Sequence, residues 1–343
     1  MDLTTTYLGL RLAHPFMVGA SPLVDDLDTV KRLEDGGSSA IVLHSLFEEQ
    51  ITMETRGEIR HRDPLDEQFS AMLSHFPAPH DYALTTDRYL EQIRRIKQAV
   101  GVPVIASLNG TTGESWMRFA SHIEQAGADA LEVNFYEVIS DPERSSMTVE
   151  AGLGDMVTEL KRMVRIPIAL KLSPYFTALG NLARRLDGAG LDGLILFNRF
   201  YQPDIDVATL SVMPRLELST RTELRLRLQW VALLRGRVRA SLAVTGGVST
   251  PTDGIKAVLA GADAVQIVAA ILRHGPEHFG VVRDGLARFM DVRGFRTVEE
   301  MKGAVSFTAT EDPAAFQRAN YIRTLQSWSA ARAARGGRTN KAE

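Results

Sequence analysis

The sequence predicts an α/β protein, specifically a (β/α)8 barrel of the TIM type, and three observations lead to that prediction. Eight short apolar runs alternate with amphipathic helical stretches along most of the 343 residues. Runs without polar alternation are typical of parallel strands that are covered on both faces. Several helices close on glycine and restart as a strand, as in "QAGADALEVN" and "LAGADAVQIV". Eight such units are enough to close a parallel sheet into a barrel.

The eight strand candidates are, in order, FMVGA, AIVLH, VPVIASL, ALEVN, IPIALKL, GLILFN, SLAVTGG and AVQIV. Prolines in "VGVPV" and "VRIPI" end the preceding helix and open the third and fifth strands. Long loops follow strands 2, 4 and 6, at roughly residues 45–85, 135–150 and 198–220. Long ordered loops at the carboxyl face of a barrel commonly form lids or substrate walls.

The barrel is expected to span residues 1–310, and residues 311–343 are expected to form a C-terminal extension. That extension contains an added helix from about residue 313 and ends in a basic tail. A doubly wound open sheet is the alternative architecture. It is disfavoured because no G-x-G-x-x-G follows the first strand, where a dinucleotide site would need it.

Composition excludes several classes of function. The chain has no cysteine, which rules out disulfides, thiol nucleophiles and cysteine-ligated metal clusters. Its net charge of −3 gives no field that attracts nucleic acid. We find no secretion signal and no apolar stretch near the roughly 20 residues of a membrane span. We therefore expect a cytoplasmic protein with no nucleic-acid or membrane partner.

Four of the eight histidines lie in or just before the first long loop, namely His44, His61, His75 and His80. Clustered histidines can hold a metal, but this spacing matches no ligand pattern. We expect a polar loop and no metal site.

Polar side chains lie where the predicted strands end, and in a barrel these ends share one face. The residues at these ends are Ala20, Ser21, His44, Ser45, Asn109, Asn134, Lys171, Asn198, Thr245, Gly246 and Gly247. One asparagine at a strand end is commonly a turn residue. Three asparagines and a lysine at the same rim indicate a binding site.

Lys171 is the most informative of these residues. It puts an ammonium group at the end of an otherwise apolar strand, and burying that charge is costly unless an anion pairs with it. The partner is either a neighbouring carboxylate or a ligand that becomes negative during turnover, such as a reduced flavin.

Gly246 and Gly247 follow the seventh strand and precede a helix, and the next strand ends at Val268 and Ala269. Barrels commonly hold a phosphate at the loops after strands seven and eight, with main-chain amides and helix N-termini. The glycines indicate such a site, although they are also compatible with a simple tight turn.

These motifs resemble the dihydroorotate dehydrogenase family of FMN-dependent barrels over roughly residues 3 to 303. The matching stretches are "LGLRLAHPFMVGASPL", "ALEVN", "IPIALKLSPYF", "LFN", "VTGGVST" and "GADAVQI". The resemblance implies FMN as cofactor, a small-molecule substrate and a homodimer. It places Lys171 beside the flavin ring and Ala20 and Ser21 against it.

The same resemblance implies that Asn109 and Asn134 bond the flavin or the substrate and that Asn198 binds the substrate. The FMN phosphate would lie on Gly246, Gly247 and the amides of Val268 and Ala269. The family's serine or cysteine base is missing, because Asn134 is followed by Phe-Tyr-Glu. An ungapped match puts Glu137 in its place. The other candidates for the proton acceptor are Tyr136 beside it, a water, and a histidine from the first long loop.

The sequence thus predicts a flavin-dependent oxidoreductase that acts on a CH–CH bond, with dihydroorotate as the default substrate and pyrimidine biosynthesis as its context. Two alternatives stay open. One is a non-redox phosphate-binding barrel, an isomerase or aldolase, in which Lys171 forms a Schiff base or acts as a general base. The other is a barrel without catalytic activity that serves as a binding subunit.

Overall fold

A computed structural model of the protein describes residues 1–51, 85–110, 114–199, 202–213 and 217–336. Its strands are β1 (Thr5–Tyr7), β2 (Leu10–Leu12), β3 (Phe16–Val18), β4 (Ile41–Val42), β5 (Leu46–Phe47), β6 (Val104–Asn109), β7 (Ala130–Asn134), β8 (Ile168–Leu172), β9 (Gly193–Leu196), β10 (Asp204–Asp206), β11 (Ser211–Met213), β12 (Ser241–Thr245) and β13 (Ala264–Ile267). Its α-helices are α1 (Leu27–Asp35), α2 (Thr86–Ala99), α3 (Glu114–Gln125), α4 (Ser146–Met163), α5 (Leu179–Gly188), α6 (Leu224–Leu234), α7 (Pro251–Ala260), α8 (Ala269–His274), α9 (His278–Arg293), α10 (Val298–Met301) and α11 (Pro313–Gly336).

The predicted fold class is confirmed. Parallel pairing runs from β3 through β4, β6, β7, β8, β9, β12 and β13, and β13 pairs with β3 to close the barrel. The short strand β5 continues after β4 and also pairs with β6. The added C-terminal helix is α11.

The antiparallel hairpin of β1 and β2 closes the amino-terminal end of the barrel. Tyr7, Leu8 and Leu12 are buried there among residues from the starts of the barrel strands, including Met17 and Ile105. A larger core lies between the outer face of the barrel and the surrounding helices. With the amino end filled by apolar side chains, the carboxyl end is the open one.

Three aspartates just before strands fix how the strands line up. Asp129, Asp192 and Asp263 precede β7, β9 and β13. Their carboxylates accept hydrogen bonds from the backbone N–H groups of Val104, Ile168 and Leu242, on neighbouring strands. They also form ion pairs with Lys97, Lys161 and Arg235 respectively. Each aspartate therefore joins two neighbouring strands. Asp129 and Asp192 also link them to a helix, and Asp263 links them to the residue that directly follows α6.

The connections after the carboxyl ends of the strands differ in form. Most of the loop after β5, including His61, His75 and His80, lies outside the described residues. Residues 135–145 run without regular structure up to Ser145, which caps α4 by accepting from Thr148 N. The connection after β9 contains the exposed hairpin of β10 and β11. Within the described residues, no helix combines the length and apolar character that crossing a membrane requires.

Candidate active site

A cavity of about 780 Å³ opens at the carboxyl end of the barrel. Seven of the residues singled out from the sequence line it, namely Ala20, Ser45, Asn109, Asn134, Tyr136, Lys171 and Asn198. The remainder of its wall comes largely from the connection after β9 and the first turn of α6, namely Arg199, Gln202, Pro203, Asp204, Glu217, Glu223, Leu226 and Arg227. The structure therefore brings together side chains from six barrel strands and the turns that follow them.

Asn134 is held in place by two serines. Its side-chain nitrogen donates to Ser45 Oγ at 2.8 Å and to Ser107 Oγ at 3.0 Å, and the two hydroxyls are themselves 2.8 Å apart. Tyr89 fixes Ser107 in turn, because its hydroxyl bonds both the backbone N–H and the carbonyl of Ser107. Since the amide nitrogen is engaged by the protein, the carbonyl oxygen of Asn134 is its atom for accepting from a ligand.

Lys171 is paired with a carboxylate that our sequence analysis missed. Its Nζ donates to Glu132 Oε1 at 2.7 Å, with side chains only 8% and 1% exposed. The other oxygen of Glu132 accepts from Gln266 Nε2 at 2.6 Å. Of the partners that the sequence left open for Lys171, the carboxylate is therefore present, while the lysine still lines the cavity. Glu132 fixes the position of the ammonium group at the cavity wall.

A local signal for Glu132 was available. Side chains two residues apart on a strand point to the same face. Glu132 precedes Asn134 by two, so an inward-facing Asn134 requires an inward-facing glutamate inside the same barrel. An acid buried there needs a cation, and Lys171 is opposite Asn134 on the adjacent strand.

Tyr136 and Glu137 line different cavities. Tyr136 lies in the wall of the cavity that contains Asn134 and Lys171. Glu137 lines a separate cavity of about 630 Å³ between α3 and α4, and its carboxylate accepts a hydrogen bond from Arg144. This ion pair raises the pKa of the Arg144 guanidinium. The two candidate bases thus lie in different surroundings, although they are adjacent in sequence.

The Gly246–Gly247 turn has a structural requirement for glycine. Both residues have left-handed backbone conformations, with φ of 88° and 82°. A Cβ on Gly247 would lie 2.6 Å from the backbone nitrogen of Leu224, which begins α6. The N–H of Gly247 donates to Ser219 Oγ at 3.2 Å. The turn is therefore packed under the start of α6.

Five other candidates are not among the residues that line the cavity. Ser21 Oγ donates to Gly19 O, and His44 Nδ1 lies 3.2 Å from Asp25 Oδ1. The carbonyl of Thr245 accepts from Arg227 Nε at 2.9 Å. Val268 is the N-cap residue of the six-residue helix α8, and Ala269 is its first residue. Arg227 connects these regions, since it lines the cavity and bonds the strand end that leads into the glycine turn.

Residues 82–290, more than half of the chain, match the family model described as dihydroorotate dehydrogenase. The chain belongs to this family. The members of this family are flavin-type oxidoreductases, and membership identifies this protein as an oxidoreductase.

Relatives in the family carry more than one name. The chain is 28% identical to the catalytic subunit of dihydroorotate dehydrogenase B (NAD(+)) of Thermoplasma volcanium, over 88% of this chain and 98% of that protein. It is 28% identical to a putative dihydroorotate dehydrogenase A (fumarate) of Aeropyrum pernix, over 88% and 97%. It is 25% identical to the chloroplastic dihydropyrimidine dehydrogenase (NADP(+)) of Arabidopsis thaliana, over 88% and 76%.

Proposed function

We propose that the protein is an FMN-dependent oxidoreductase that acts on a CH–CH bond of a small cyclic substrate, with dihydroorotate as the default substrate. The observation that carries this proposal is the position of Lys171. A buried ammonium lies in the wall of a cavity that also presents Asn109, Asn134 and Asn198. One cation among several neutral amides suits a ring system that gains negative charge at one edge and offers hydrogen-bonding groups elsewhere.

The residues present fit a flavin. Ala20, two residues after β3, is small enough to let a flat ring approach the strand end. Lys171 and the amides of Asn109 and Asn134 supply a cation and uncharged hydrogen-bonding groups in the wall of the same cavity. Arg227 supplies a second buried cation at the α6 end of the cavity. When bound, flavin would supply the reversible transfer of a hydride equivalent, which this cysteine-free chain has no side chain to perform.

Lys171 is placed to stabilise negative charge on its neighbour. Its contact with Glu132 holds the ammonium at a defined position, and Gln266 holds Glu132. A preorganised cation of this kind costs no reorganisation when charge develops beside it. The three side chains therefore act as a unit in which only Lys171 lines the cavity.

We propose that the Tyr136 hydroxyl takes up the substrate proton while passing its own proton to solvent. The Tyr136 side chain lines the cavity together with Lys171 and Asn134, whereas Glu137 is bonded to Arg144 in the other cavity. Geometry comes before acidity in choosing a general base, since the base must reach the proton it removes. A hydroxyl base also corresponds in kind to the serine of the family motif.

The ion pair of Lys171 weighs against the non-redox alternative. Schiff-base chemistry needs a neutral amine as nucleophile, and an ammonium held by a buried carboxylate is a poor nucleophile. The barrel without catalytic activity is not favoured by any feature of the cavity. By resemblance to the family, we also propose a cytoplasmic homodimer, which size-exclusion chromatography with light scattering would test.

The test begins with purification and the visible spectrum, followed by denaturation and identification of the released cofactor. Dihydroorotate and dihydrouracil are then added separately without oxygen, and the loss of flavin absorbance is followed. These two compounds share a ring and differ in a carboxylate. Comparing them therefore distinguishes dihydroorotate from a dihydropyrimidine without the carboxylate, the two substrate classes in the relatives' names. We expect bound FMN and bleaching by dihydroorotate. Protein that binds no flavin when purified or after incubation with FMN would overturn the proposal.

A further inference from the structure

We propose that the Arg227 side chain binds the phosphate of the flavin cofactor, so that phosphate recognition in this protein rests on a buried guanidinium and not on main-chain amides alone. This inference rests on the proposed flavin-dependent function. It concerns a residue outside the motifs from which the phosphate site was predicted.

Arg227 is fixed directly beside the glycine turn. It lies in the first turn of α6 and is only 7% exposed. Its Nε donates to Thr245 O at 2.9 Å, and its Nη1 donates to Glu223 O at 2.8 Å. Its Nη2 lies 3.1 Å from the position that a Cβ on Gly246 would occupy. Two hydrogen bonds therefore orient the guanidinium over the turn, and the same side chain forms part of the cavity wall.

Among the described residues, no carboxylate forms an ion pair with this cation. In the part of the chain that the structure describes, no carboxylate oxygen lies within 4.0 Å of its guanidinium, and its bonded partners are carbonyl oxygens. Burial lowers the pKa of Arg227; Glu223 opposes the effect and Arg199 adds to it. Lys171, which is buried to a similar extent, is instead neutralised by Glu132. A buried, unneutralised guanidinium at a cavity wall is the arrangement that an incoming anion stabilises.

The main-chain groups of the turn are partly engaged. The N–H of Gly247 already donates to Ser219 Oγ, and Leu224 packs closely against the same residue. A guanidinium, by contrast, can bond two phosphate oxygens at once and carries a full charge. The anion that suits it is a phosphate monoester, which distinguishes FMN from riboflavin, the same ring system without the phosphate.

That difference between the two ligands gives the experiment its internal control. Flavin-free protein is titrated with FMN and with riboflavin, and the quenching of flavin fluorescence gives each affinity. We expect Arg227→Met to weaken FMN binding by about 10- to 100-fold, the range for a lost charge-assisted hydrogen bond, with riboflavin affinity unchanged. Arg227→Lys, which keeps the charge, should have an FMN affinity between that of the parent and that of Arg227→Met. Arg225→Met, an exposed arginine on the same helix, should bind both ligands like the parent.

Inorganic phosphate should compete with FMN but not with riboflavin in the parent protein, and should lose this effect in Arg227→Met. An Arg227→Met protein that binds FMN as tightly as the parent overturns the inference. Equal loss of FMN and riboflavin affinity also overturns it, because the arginine would then only support the fold. If Arg227→Met does not fold, Arg227→Gln, which retains a donor for Thr245 O, decides in the same way. A parent that binds neither ligand defeats the proposed function itself.

Discussion

At the residue scale, the buried pair of Glu132 and Lys171 is the feature on which the site depends. A buried ion pair adds little net stability compared with apolar residues, but removing one partner leaves an uncompensated charge. Such a pair is therefore more informative about positioning than about stability. Here it holds a cation at the cavity wall, and Gln266 completes the hydrogen bonding of the carboxylate.

We predict that Glu132→Gln and Lys171→Met each lower the free energy of unfolding by about 3–5 kcal/mol. The double variant should lose clearly less than the sum of the two, because neither charge is then left alone. Urea unfolding of the flavin-free proteins measures all three values. Lys161→Met is the matched control: its pair with Asp192 is 2.7 Å long but about 30% exposed, so we expect a loss of about 0–1 kcal/mol. Additive losses in the double variant would mean that the pair is not coupled.

The second prediction at this scale separates Tyr136 from Glu137. Tyr136→Phe removes the hydroxyl from the cavity and should slow substrate-dependent flavin reduction by about 10²- to 10⁴-fold, as loss of a general base does, while flavin binding is retained. Glu137→Gln removes a charge from the other cavity and should reduce at nearly the parental rate. Anaerobic stopped-flow absorbance measures both rates. The reverse pattern would identify Glu137 as the residue that accepts the substrate proton, as the ungapped family match suggests.

At the scale of elements, the barrel is fastened at its amino-terminal end by buried polar contacts. His14 lies between β2 and β3, 4% exposed, and its Nδ1 accepts from Phe16 N at 3.2 Å. Burial lowers the pKa of His14 to about 4; the backbone of Gly37 and the Asp284 carboxylate oppose the shift, and Arg283 adds to it. The folded protein therefore holds this histidine neutral.

A pH dependence follows from that lowered pKa. Between pH 6.5 and about 4 the unfolded chain binds a proton at His14 that the folded protein does not. The stability contributed by the neutral form is present above pH 6.5 and is lost as the pH falls through this window, by about 3 kcal/mol at most. His14→Asn keeps an acceptor for Phe16 N but cannot titrate. In urea unfolding across this window, the free energy of unfolding should fall less steeply with decreasing pH for His14→Asn than for the parent. Equal slopes for the two proteins would contradict the assignment to His14.

At the scale of the whole molecule, the chain after the barrel strands divides into a part that completes the fold and a part that extends from it. In α10, Val298 and Met301 are fully buried, and Lys302, directly after this helix, pairs with Asp263 at 2.8 Å. In α11, by contrast, Tyr321, Ile322 and Leu325 are more than two-fifths exposed. We therefore propose residue 310 as the boundary of the barrel domain.

Truncation tests this boundary. A chain that ends at Thr310 should have a free energy of unfolding within about 0.5 kcal/mol of that of the parent, which is the range for changes away from buried contacts. It should also keep the flavin affinity of the parent. A chain that ends at Arg296 loses α10 and the bond from Val298 N to Asp2 O, and should not give folded protein. Circular dichroism and thermal unfolding compare them. A large loss of stability on removing residues 311–343 would show that α11 belongs to the barrel domain.

The sequence by itself determined the barrel and the set of polar strand ends. Both follow from local rules: apolar runs bounded by glycine or proline mark the strands, and parallel strands in a barrel share one carboxyl face. Those rules were sufficient to place Asn109, Asn134, Lys171 and Asn198 at one cavity. They also contained the information for Glu132, through the two-residue period that it shares with Asn134.

Only the tertiary structure decided which side chains meet. Glu132 contacts Lys171 and Gln266, which lie 39 and 134 residues away in the sequence. The closed barrel is what brings these three side chains together. Arg227 reaches Gly246 because α6 packs on the turn after β12, a contact that no local pattern encodes. Tyr136 and Glu137 follow the end of a strand, where the period of two no longer fixes direction. Their separation into two cavities depends on the course that the chain takes from the end of β7 to the start of α4.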